Sequence, residues 1–584
     1  MLAGLNSKQR DAVLQEGNVL LTACPGSGKT RVLTYKIAHE LQFIEDTKKI
    51  IVALTFTNRA ADEIKRRLIK MDLDPSQVWS GTIHSFSLEW ILRPYSSEIE
   101  ELKKGFSIAD EYKSSEILKE LKESYGLGFF DEINTRLNKD GSINELDRTK
   151  IKLIQEYHEI LKSEKLIDFD QILFFAYKLM TKYPIIAKTL NNIFHLICVD
   201  EYQDTQDLQY AIIASIFKVS NGSTKLFIVG DRDQAIYGSL GGMAKNAKEI
   251  IDEFGGIELT ELELSGNYRS TQRIIDYYRN FQTETIEIES QCSYSTERGF
   301  LSLDRIVNKD NLVENIATII ENSIAQGIPE HEICVLAPQW WLVIPMGRKL
   351  KNRLPNINFD AIGLSPLIKA QENVWVKASK LFLTEPSPKM YFLRNRWAHE
   401  LLNELEALGV AVFEQTEKKA KKLLKAINST SSINENGLNY LEERFLQMTT
   451  LLGISIESNE HLLVQWTNFF DGTRAKMENS DFDYAKDTKS FKRLFNHNSG
   501  VVVNTCHGIK GEEFQTVIAF GLLTNYIPHW KEDDLIKAGK KLLYVICSRA
   551  KRNLYLIAEK GRTTRRGAAL GTTSLLANVR YTYD

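Results

Sequence analysis

Eight consecutive residues, Ala23-Cys24-Pro25-Gly26-Ser27-Gly28-Lys29-Thr30, carry the most legible chemistry in this chain. Small residues let backbone N–H groups curl around a phosphate, a lysine reaches the β and γ phosphates of a nucleotide, and a threonine hydroxyl ligates Mg²⁺. The stretch is a Walker A loop with alanine at the usual first glycine. Its candidate ATP-binding residues are Pro25, Gly26, Ser27, Gly28, Lys29, Thr30 and Arg31. A chance Gly-rich turn is the plain alternative, and the strand before and helix after the loop argue against it. Downstream, Ile197-Cys198-Val199-Asp200-Glu201 is an apolar run ending in two carboxylates. Hydrolysis asks two things of acids there: Asp200, with Thr30, would hold Mg²⁺, while Glu201 would orient and deprotonate water.

Phosphoryl transfer spreads negative charge over the γ-phosphate oxygens, and a guanidinium fork matches that charge better than an ammonium. Arg269, in Asn267-Tyr268-Arg269-Ser270, and Arg549, in Tyr544-Val545-Ile546-Cys547-Ser548-Arg549-Ala550, are the candidates. In isolation most arginines are solvated surface groups; the phosphate loop and the acidic pair are what give these two a role.

The elements that must position these groups alternate. Val19–Thr22 reads as a strand, Arg31–Leu41 as a helix, Ile50–Thr55 as a strand and Ala60–Lys70 as a helix, which predicts a parallel α/β sheet. From about Trp90 to Phe194 the texture becomes long charged helices, including Ser114–Tyr125 and Thr149–Glu164. Strands return at Leu196–Val199 and Leu226–Val229, so the first sheet resumes after an insertion. A second set, Phe300–Leu303, Ile333–Ala337, Gly500–Asn504, Val517–Phe520 and Leu554–Ile557, predicts a second α/β unit. It is interrupted by a helical stretch in which polar Asn428–Gly437 reads as a surface loop. No repeat at a solenoid period is present.

At 584 residues the chain calls for two to four domains. The 43% hydrophobic and 26% charged composition is that of a soluble globular protein. A formal net charge of -2 excludes whole-molecule attraction to a polyanion, so any nucleic-acid surface must be a local groove. The six cysteines, Cys24, Cys198, Cys292, Cys334, Cys506 and Cys547, form no C-x-x-C pair and no Cys/His cluster, which argues against structural zinc or iron–sulfur. Several sit inside apolar runs, as suits a reducing compartment. With no signal pattern and no apolar run of membrane-spanning length, a cytoplasmic location away from membranes is expected.

Taken in order, the motifs resemble those of the UvrD/Rep/PcrA group of superfamily 1A helicases, over the N-terminal third and C-terminal fifth of the chain. Leu5-Asn6-Ser7-Lys8-Gln9 looks like the Q motif, which implies that Gln9 reads the adenine edge. Leu54-Thr55-Phe56-Thr57-Asn58-Arg59-Ala60-Ala61 and Gly81-Thr82-Ile83-His84-Ser85-Phe86 resemble DNA-contacting motifs. They imply Thr55, Phe56, Asn58, His84, Ser85 and Phe86 as DNA-binding residues. For Phe56 and His84, core packing is the alternative. Asp200-Glu201-Tyr202-Gln203-Asp204-Thr205 matches motif II, and Val229–Gly238 matches motif III, in which Gln234 would sense the γ-phosphate. By the same resemblance Tyr268 would stack on adenine, Glu513 would face the ribose, and Thr505 and His507, in Thr505-Cys506-His507-Gly508-Ile509-Lys510-Gly511-Glu512-Glu513-Phe514, would lie near DNA. Glu201, Gln234, Arg269 and Arg549 form the implied catalytic set.

The resemblance implies an α/β fold of two RecA-like P-loop domains, each with a helical insertion. Domain 1A would be residues 1–90 and 195–280, insertion 1B 91–194, domain 2A 281–366 and 493–584, and a reduced insertion 2B 367–492. It also implies Mg²⁺ and ATP as cofactors, single-stranded or tailed duplex DNA as partner, and 3′-to-5′ movement. Three departures stand out: Ser239-Leu240-Gly241-Gly242 where the family has an aromatic and an arginine, Ala538-Gly539-Lys540-Lys541 in place of an Arg-rich run, and Glu512 where leucine is common. Within 2B, Lys418, Lys419, Lys421, Lys422 and Lys425 form a basic helix, either a solvated face or a duplex-DNA contact. With some thirty residues after motif VI, too few for a fused nuclease domain, any nuclease activity is expected to come from a separate partner protein. The compact build also resembles the helicase-like subunits of Gabija-type anti-phage systems. The alternative function is therefore a DNA- or nucleotide-sensing regulatory ATPase without processive unwinding.

Overall fold

The computed structural model describes residues 2–584 except 47, 110, 129–130, 220–223, 239–240, 285, 369–372, 389, 411, 413–418, 479–484, 496–499, 529–533 and 565. Two compact units emerge. Unit 1 comprises Met1–Phe106, Glu132–Val343 and Asn504–Asp584, and unit 2 comprises Ser107–Asp131 and Ile344–Val503.

The first sheet of unit 1 is built from β1 (Val19–Ala23), β2 (Ile50–Leu54), β3 (Val78–Gly81), β4 (Phe194–Asp200), β5 (Lys225–Gly230) and β6 (Thr260–Leu264). These lie in the order β3-β2-β4-β5-β1-β6, with every pairing parallel. Its central strands are apolar on both faces, as a sheet covered on both sides requires. Leu20, Val52, Leu54, Ile197, Val199 and Ile228 point into one core, and Val19, Leu21, Ile51, Ala53, Leu196, Phe227 and Val229 into the other. The period-2 alternation thus assigns successive residues to opposite layers.

A second parallel sheet begins with β7 (Phe300–Asp304) and β8 (Ile333–Ala337). β9 (Phe359–Ala361) and β10 (Val501–Thr505) follow, then β11 (Phe514–Ala519) and β12 (Ala550–Ile557). In unit 1, β7 pairs with β12, β12 with β11, and β11 with β8. In unit 2, β9 pairs with β10. The chain is therefore α/β with two parallel sheets, as expected. β3, β6 and β9 are elements the sequence reading lacked. β6 is Thr-Glu-Leu-Glu-Leu at the edge of its sheet, with side chains that reach solvent, so it has no apolar run to show.

Helices begin where their caps dictate. α1 (Ser7–Leu14) opens with a capping box between Asn6 and Gln9, α2 (Lys29–Glu40) follows Gly28 at φ 83°, and α3 (Asn58–Lys70) is capped by the Thr57 hydroxyl. α4 (Phe169–Lys182) starts with an Asp168–Gln171 capping box. Within the region read as a helical insertion, Ile172, Leu173, Phe175, Ala176 and Leu179 belong to the same core as the first sheet. That part of the insertion packs into the core of the sheet and braces it. In unit 2, helix Lys419–Ser429 ends inside the segment read as a loop, and Gly437 already starts the next helix.

The C-terminal end of α2 is tied down by a buried charge cluster. Glu40 is 2% exposed and Lys36 1%; they pair at 2.9 Å, and His195 and Lys225 each lie 2.8 Å from the same carboxylate. Burial favours the neutral acid, but the bonds from His195 and Lys225 and the charge of Lys36 outweigh it, holding Glu40 far below the usual carboxylate range. A depressed acid contributes stability that is present above its unfolded value and is lost as pH falls toward the folded one. Glu40→Ala, which leaves Lys36 buried without its carboxylate, is expected to cost about 3–5 kcal/mol in urea unfolding. The gap to the parent protein should shrink as the medium is acidified.

Candidate nucleotide site

The phosphate loop leaves β1 and turns back through two left-handed glycines, Gly26 at φ 69° and Gly28 at φ 83°. A Cβ on Gly26 would stand 2.6 Å from Cβ of Arg269, so both the backbone conformation and the space demand glycine there. The loop is strapped from outside: Asn267 Nδ2 donates to the Pro25 carbonyl at 2.7 Å, and the Tyr268 N–H to the Gly26 carbonyl at 2.9 Å. Gln9, 3% exposed, donates from Nε2 to the Ser27 carbonyl at 2.9 Å and accepts from the Asn6 N–H. Its amide therefore holds the loop in shape. Tyr268 is 41% exposed at the rim, and its hydroxyl accepts from Asn6 Nδ2 at 2.7 Å. Arg31 lies on the exposed face of α2 over the Tyr35 ring. The Cys24 thiol is pushed up to about 12 by burial, which makes it an inert loop residue.

Facing the loop, β4 ends in Asp200, and Glu201 follows at φ 51°, a left-handed conformation uncommon for this residue type. Lys29 Nζ lies 3.6 Å from Glu201 Oε1. Burial, then the Glu201 charge, raises the Asp200 carboxyl above its usual range. Burial opposes ionisation of Glu201 as well, but Lys29 and then Lys510 outweigh it and hold this carboxyl low. Asp200 is thus a buried carboxyl short of positive charge, and with the Thr30 hydroxyl it offers the hard oxygen donors that Mg²⁺ prefers. Ser27 Oγ, also in the loop, is buried without a hydrogen-bond partner among the described residues. These residues fit the ion.

From Glu201 a line of hydrogen bonds runs to the second sheet. Gln203 Nε2 donates to Glu201 Oε2 at 2.5 Å, the Asp231 N–H donates to Gln203 Oε1 at 3.0 Å, and Gln234 Nε2 donates to Asp231 Oδ2 at 2.7 Å. Arg549 Nη2 then donates to Gln234 Oε1 at 2.9 Å. Arg549, from the turn before β12, is 1% exposed and pushed down to about 9, by burial first and Arg269 second. Arg269 donates to Glu513 at 2.7 Å and to the Ser548 carbonyl at 2.8 Å. Lys29, Glu201, Gln234, Arg269, Arg549 and Glu513 therefore belong to one crevice. Three of its members were absent from the sequence-derived set. Gln203 and Asp231 carry the relay, and Lys510 donates to Asp204 Oδ2 at 2.5 Å and to the Gln234 carbonyl at 2.6 Å. Each is a polar residue inside a recognised motif, and that was the signal available.

The residues matched to DNA-contacting motifs divide. Phe56 is 45% exposed and stacks on Tyr237 with centroids 4.8 Å apart. Tyr237 in turn donates to the His507 carbonyl at 3.1 Å, stands beside the His507 ring, and lies under Lys510 Nζ. Phe56, Tyr237 and His507 make one aromatic step; Tyr237 had no role in the sequence reading. His84 packs edge-on to Phe169, which is 40% exposed, and Ser85 shares a hydrogen bond with Thr82. Phe86 requires a correction: it is 0% exposed, packed against Trp79 and Phe194 in the sheet core, and has no surface to offer a base. Thr55 and Thr505 are also buried, and their hydroxyls bond the Thr57 carbonyl and the Gly508 N–H, so both shape their own loops. The Asn58 side chain, Ser239 and Leu240 lie outside the described residues.

Comparison with known proteins agrees with this geometry. The UvrD/REP helicase N-terminal domain matches residues 5–255, and the UvrD-like helicase C-terminal domain matches residues 413–561. The chain is 26% identical over 637 residues to an ATP-dependent DNA helicase PcrA of Leuconostoc citreum, covering 95% of this chain and 81% of that protein. It is 34% identical over 297 residues to DNA helicase II of Escherichia coli, covering 47% of this chain and 40% of that one. With the phosphate loop, the acidic strand end and both arginines in one crevice, and both halves of the family matched in order, the chain belongs to the UvrD-like family of superfamily 1A helicases.

Proposed function

We propose that this protein is an ATP-hydrolysing DNA helicase that moves 3′ to 5′ along single-stranded DNA, using Mg-ATP in the crevice between its two parallel sheets. The observation that carries the reading is the hydrogen-bonded line from Glu201 to Arg549, which joins the hydrolytic carboxylate on one sheet to a guanidinium on the other. The names of its relatives, DNA helicases of the PcrA and DNA helicase II types, support it. In this reading residues 1–90 with 195–280 and 281–366 with 493–584 are the motor domains 1A and 2A, and 91–194 and 367–492 are insertions 1B and 2B. Among the described residues no helix is long and apolar enough to cross a membrane; we place the protein in the cytoplasm.

Asp200 and Thr30 would hold Mg²⁺, which when bound would supply charge neutralisation for the phosphates. The chain's own residues do the rest. Lys29 binds the γ phosphate, and its arrival there competes with its ion pair to Glu201, freeing that carboxylate to take a proton from water. Arg269 and Arg549 meet the charge that develops on the transferring group, and Gln234, bonded to Arg549, reports its position to the motif around Asp231. Phe56, Tyr237 and His507 form the step on which bases stack, with His84 and Ser85 farther along the same strand.

Glu201→Gln is expected to lower DNA-stimulated ATPase kcat by about 10²–10⁴-fold, and Arg549→Ala by about 10³-fold or more, each with the parent's circular dichroism spectrum. Unchanged turnover in Glu201→Gln sinks the hydrolytic assignment. Unwinding of duplexes carrying 3′ tails, with 5′-tailed duplexes left intact, is the expected direction. Hydrolysis without unwinding of either would instead indicate the regulatory, DNA-sensing ATPase.

Phe56→Ala should weaken single-stranded DNA binding by about 1–3 kcal/mol in fluorescence anisotropy and leave the melting temperature near the parent's. Phe86→Ala should do the reverse, costing about 3–5 kcal/mol of stability through a core cavity.

A further inference from the structure

The basic helix Lys419–Ser429 borders a cleft of about 610 Å³ in unit 2, lined by Tyr391, Arg394, Lys421, Lys425 and Asn428 among others, with no acidic residue in its wall among the described residues. Behind the cleft lie two guanidiniums that have no carboxylate partner among the described residues. Arg394, 3% exposed, donates to the Leu381 carbonyl at 2.6 Å, to the Thr384 backbone and hydroxyl, and to Asn428 Oδ1 at 2.7 Å. Arg444 donates to the Phe382 and Ile427 carbonyls, each at 3.0 Å, to Thr430 Oγ1 at 2.9 Å and to the Tyr440 hydroxyl. Both are satisfied by dipoles, and for the buried Arg394, whose side chain lines the cleft, that is an expensive way to hold a cation unless an anion completes the site.

The lysines sharpen the point. Lys419 pairs with Glu406 at 2.6 Å, Lys377 with Glu404 at 2.5 Å and Lys492 with Glu385 at 3.4 Å. Lys421 and Lys425, one helical turn apart on the cleft side, have no acidic partner among the described residues. Like charges at that spacing repel by a few tenths of a kcal/mol, so a helix that merely needed solubility gains nothing from placing both on one wall. The cleft also offers the Asn428 amide and the 41% exposed ring of Tyr391. Its size is that of sites taking small ligands.

We propose that this cleft is a phosphate-binding site, with Lys421 and Lys425 as the direct ligands of the phosphate oxygens and the charge of Arg394 behind them. Two sources present that group: a small phosphate ester, and a backbone phosphate of duplex DNA. The inference stands apart from the motor function, since none of these residues belongs to the nucleotide crevice or the aromatic step.

The test compares the full-length protein with Lys421→Ala/Lys425→Ala and with the charge-reversed Lys421→Glu/Lys425→Glu. Two measurements are made on each: thermal shift with inorganic pyrophosphate, and anisotropy of a blunt duplex over a range of salt. The phosphate loop is common to all three proteins, so differences between them isolate the cleft. Loss of part of the pyrophosphate shift in both variants identifies a small phosphate ester. A duplex-binding salt dependence shallower by about two in log–log slope for the alanine variant identifies backbone phosphates. DNA-stimulated ATPase and circular dichroism, unchanged in the variants, show that the fold is intact. Identical pyrophosphate shifts and identical salt slopes across all three proteins overturn the proposal.

Discussion

The bond from Arg549 Nη2 to Gln234 Oε1, 2.9 Å long, is the constraint around which the nucleotide crevice is organised. A guanidinium 1% exposed has surrendered its water, and what it receives in exchange is the Gln234 amide, three carbonyl or hydroxyl oxygens, and the field of Glu201 and Glu513. None of these is a carboxylate in direct contact. Arg549 is therefore buried with its charge met by dipoles and by carboxylates that it does not touch. Because Gln234 is also bound to Asp231, and Asp231 through Gln203 to Glu201, any shift of the arginine is felt at the Glu201 carboxylate.

Lys510 extends the same network toward the aromatic step. Its ammonium is 7% exposed, is shared between Asp204 and the Gln234 carbonyl, and sits over the Tyr237 ring, on which Phe56 stacks. One buried cation thus touches the acidic motif, the glutamine that bonds Arg549, and the platform proposed for bases. Packed groups of this kind move between discrete arrangements, since a buried ammonium has no intermediate position in which its bonds are satisfied. A change in the nucleotide crevice therefore has a short physical route to the aromatic step.

Unit 2 depends on different interactions. Trp375, Phe382, Phe445, Phe469 and Phe470 form its own core. Arg394 and Arg444 bond the carbonyls at the ends of helices Val374–Phe382 and Lys419–Ser429. Cations at helix C-termini oppose the partial negative charge there. The same two residues that close these helices also leave a positive field in the neighbouring cleft, so stability and ligand affinity draw on the same charges.

The sequence by itself determined the strongest local features, while edge strands without an apolar run, such as β6, left no local mark. The loop from Ala23 to Thr30, the acid pair at a strand end, and the alternation of apolar strands and amphipathic helices are set by residue type and spacing, because backbone turns and strand faces depend on neighbours a few positions away. Resemblance of the ordered motifs then extended that reading to Gln234, Arg269 and Arg549. Tertiary structure alone decided which of the named side chains meet and which are withdrawn. Phe56 and Phe86 are both aromatic residues in recognised motifs, yet one is 45% exposed and the other 0%, since the first leaves the end of β2 and the second turns into the core against Phe194. Gln9, read as an adenine contact, spends its amide on the loop backbone, and Gln203, Asp231 and Lys510 acquire their roles from partners up to 306 positions away. Burial and long-range hydrogen bonding are properties of the packed chain, and no window of sequence contains the partner that defines them.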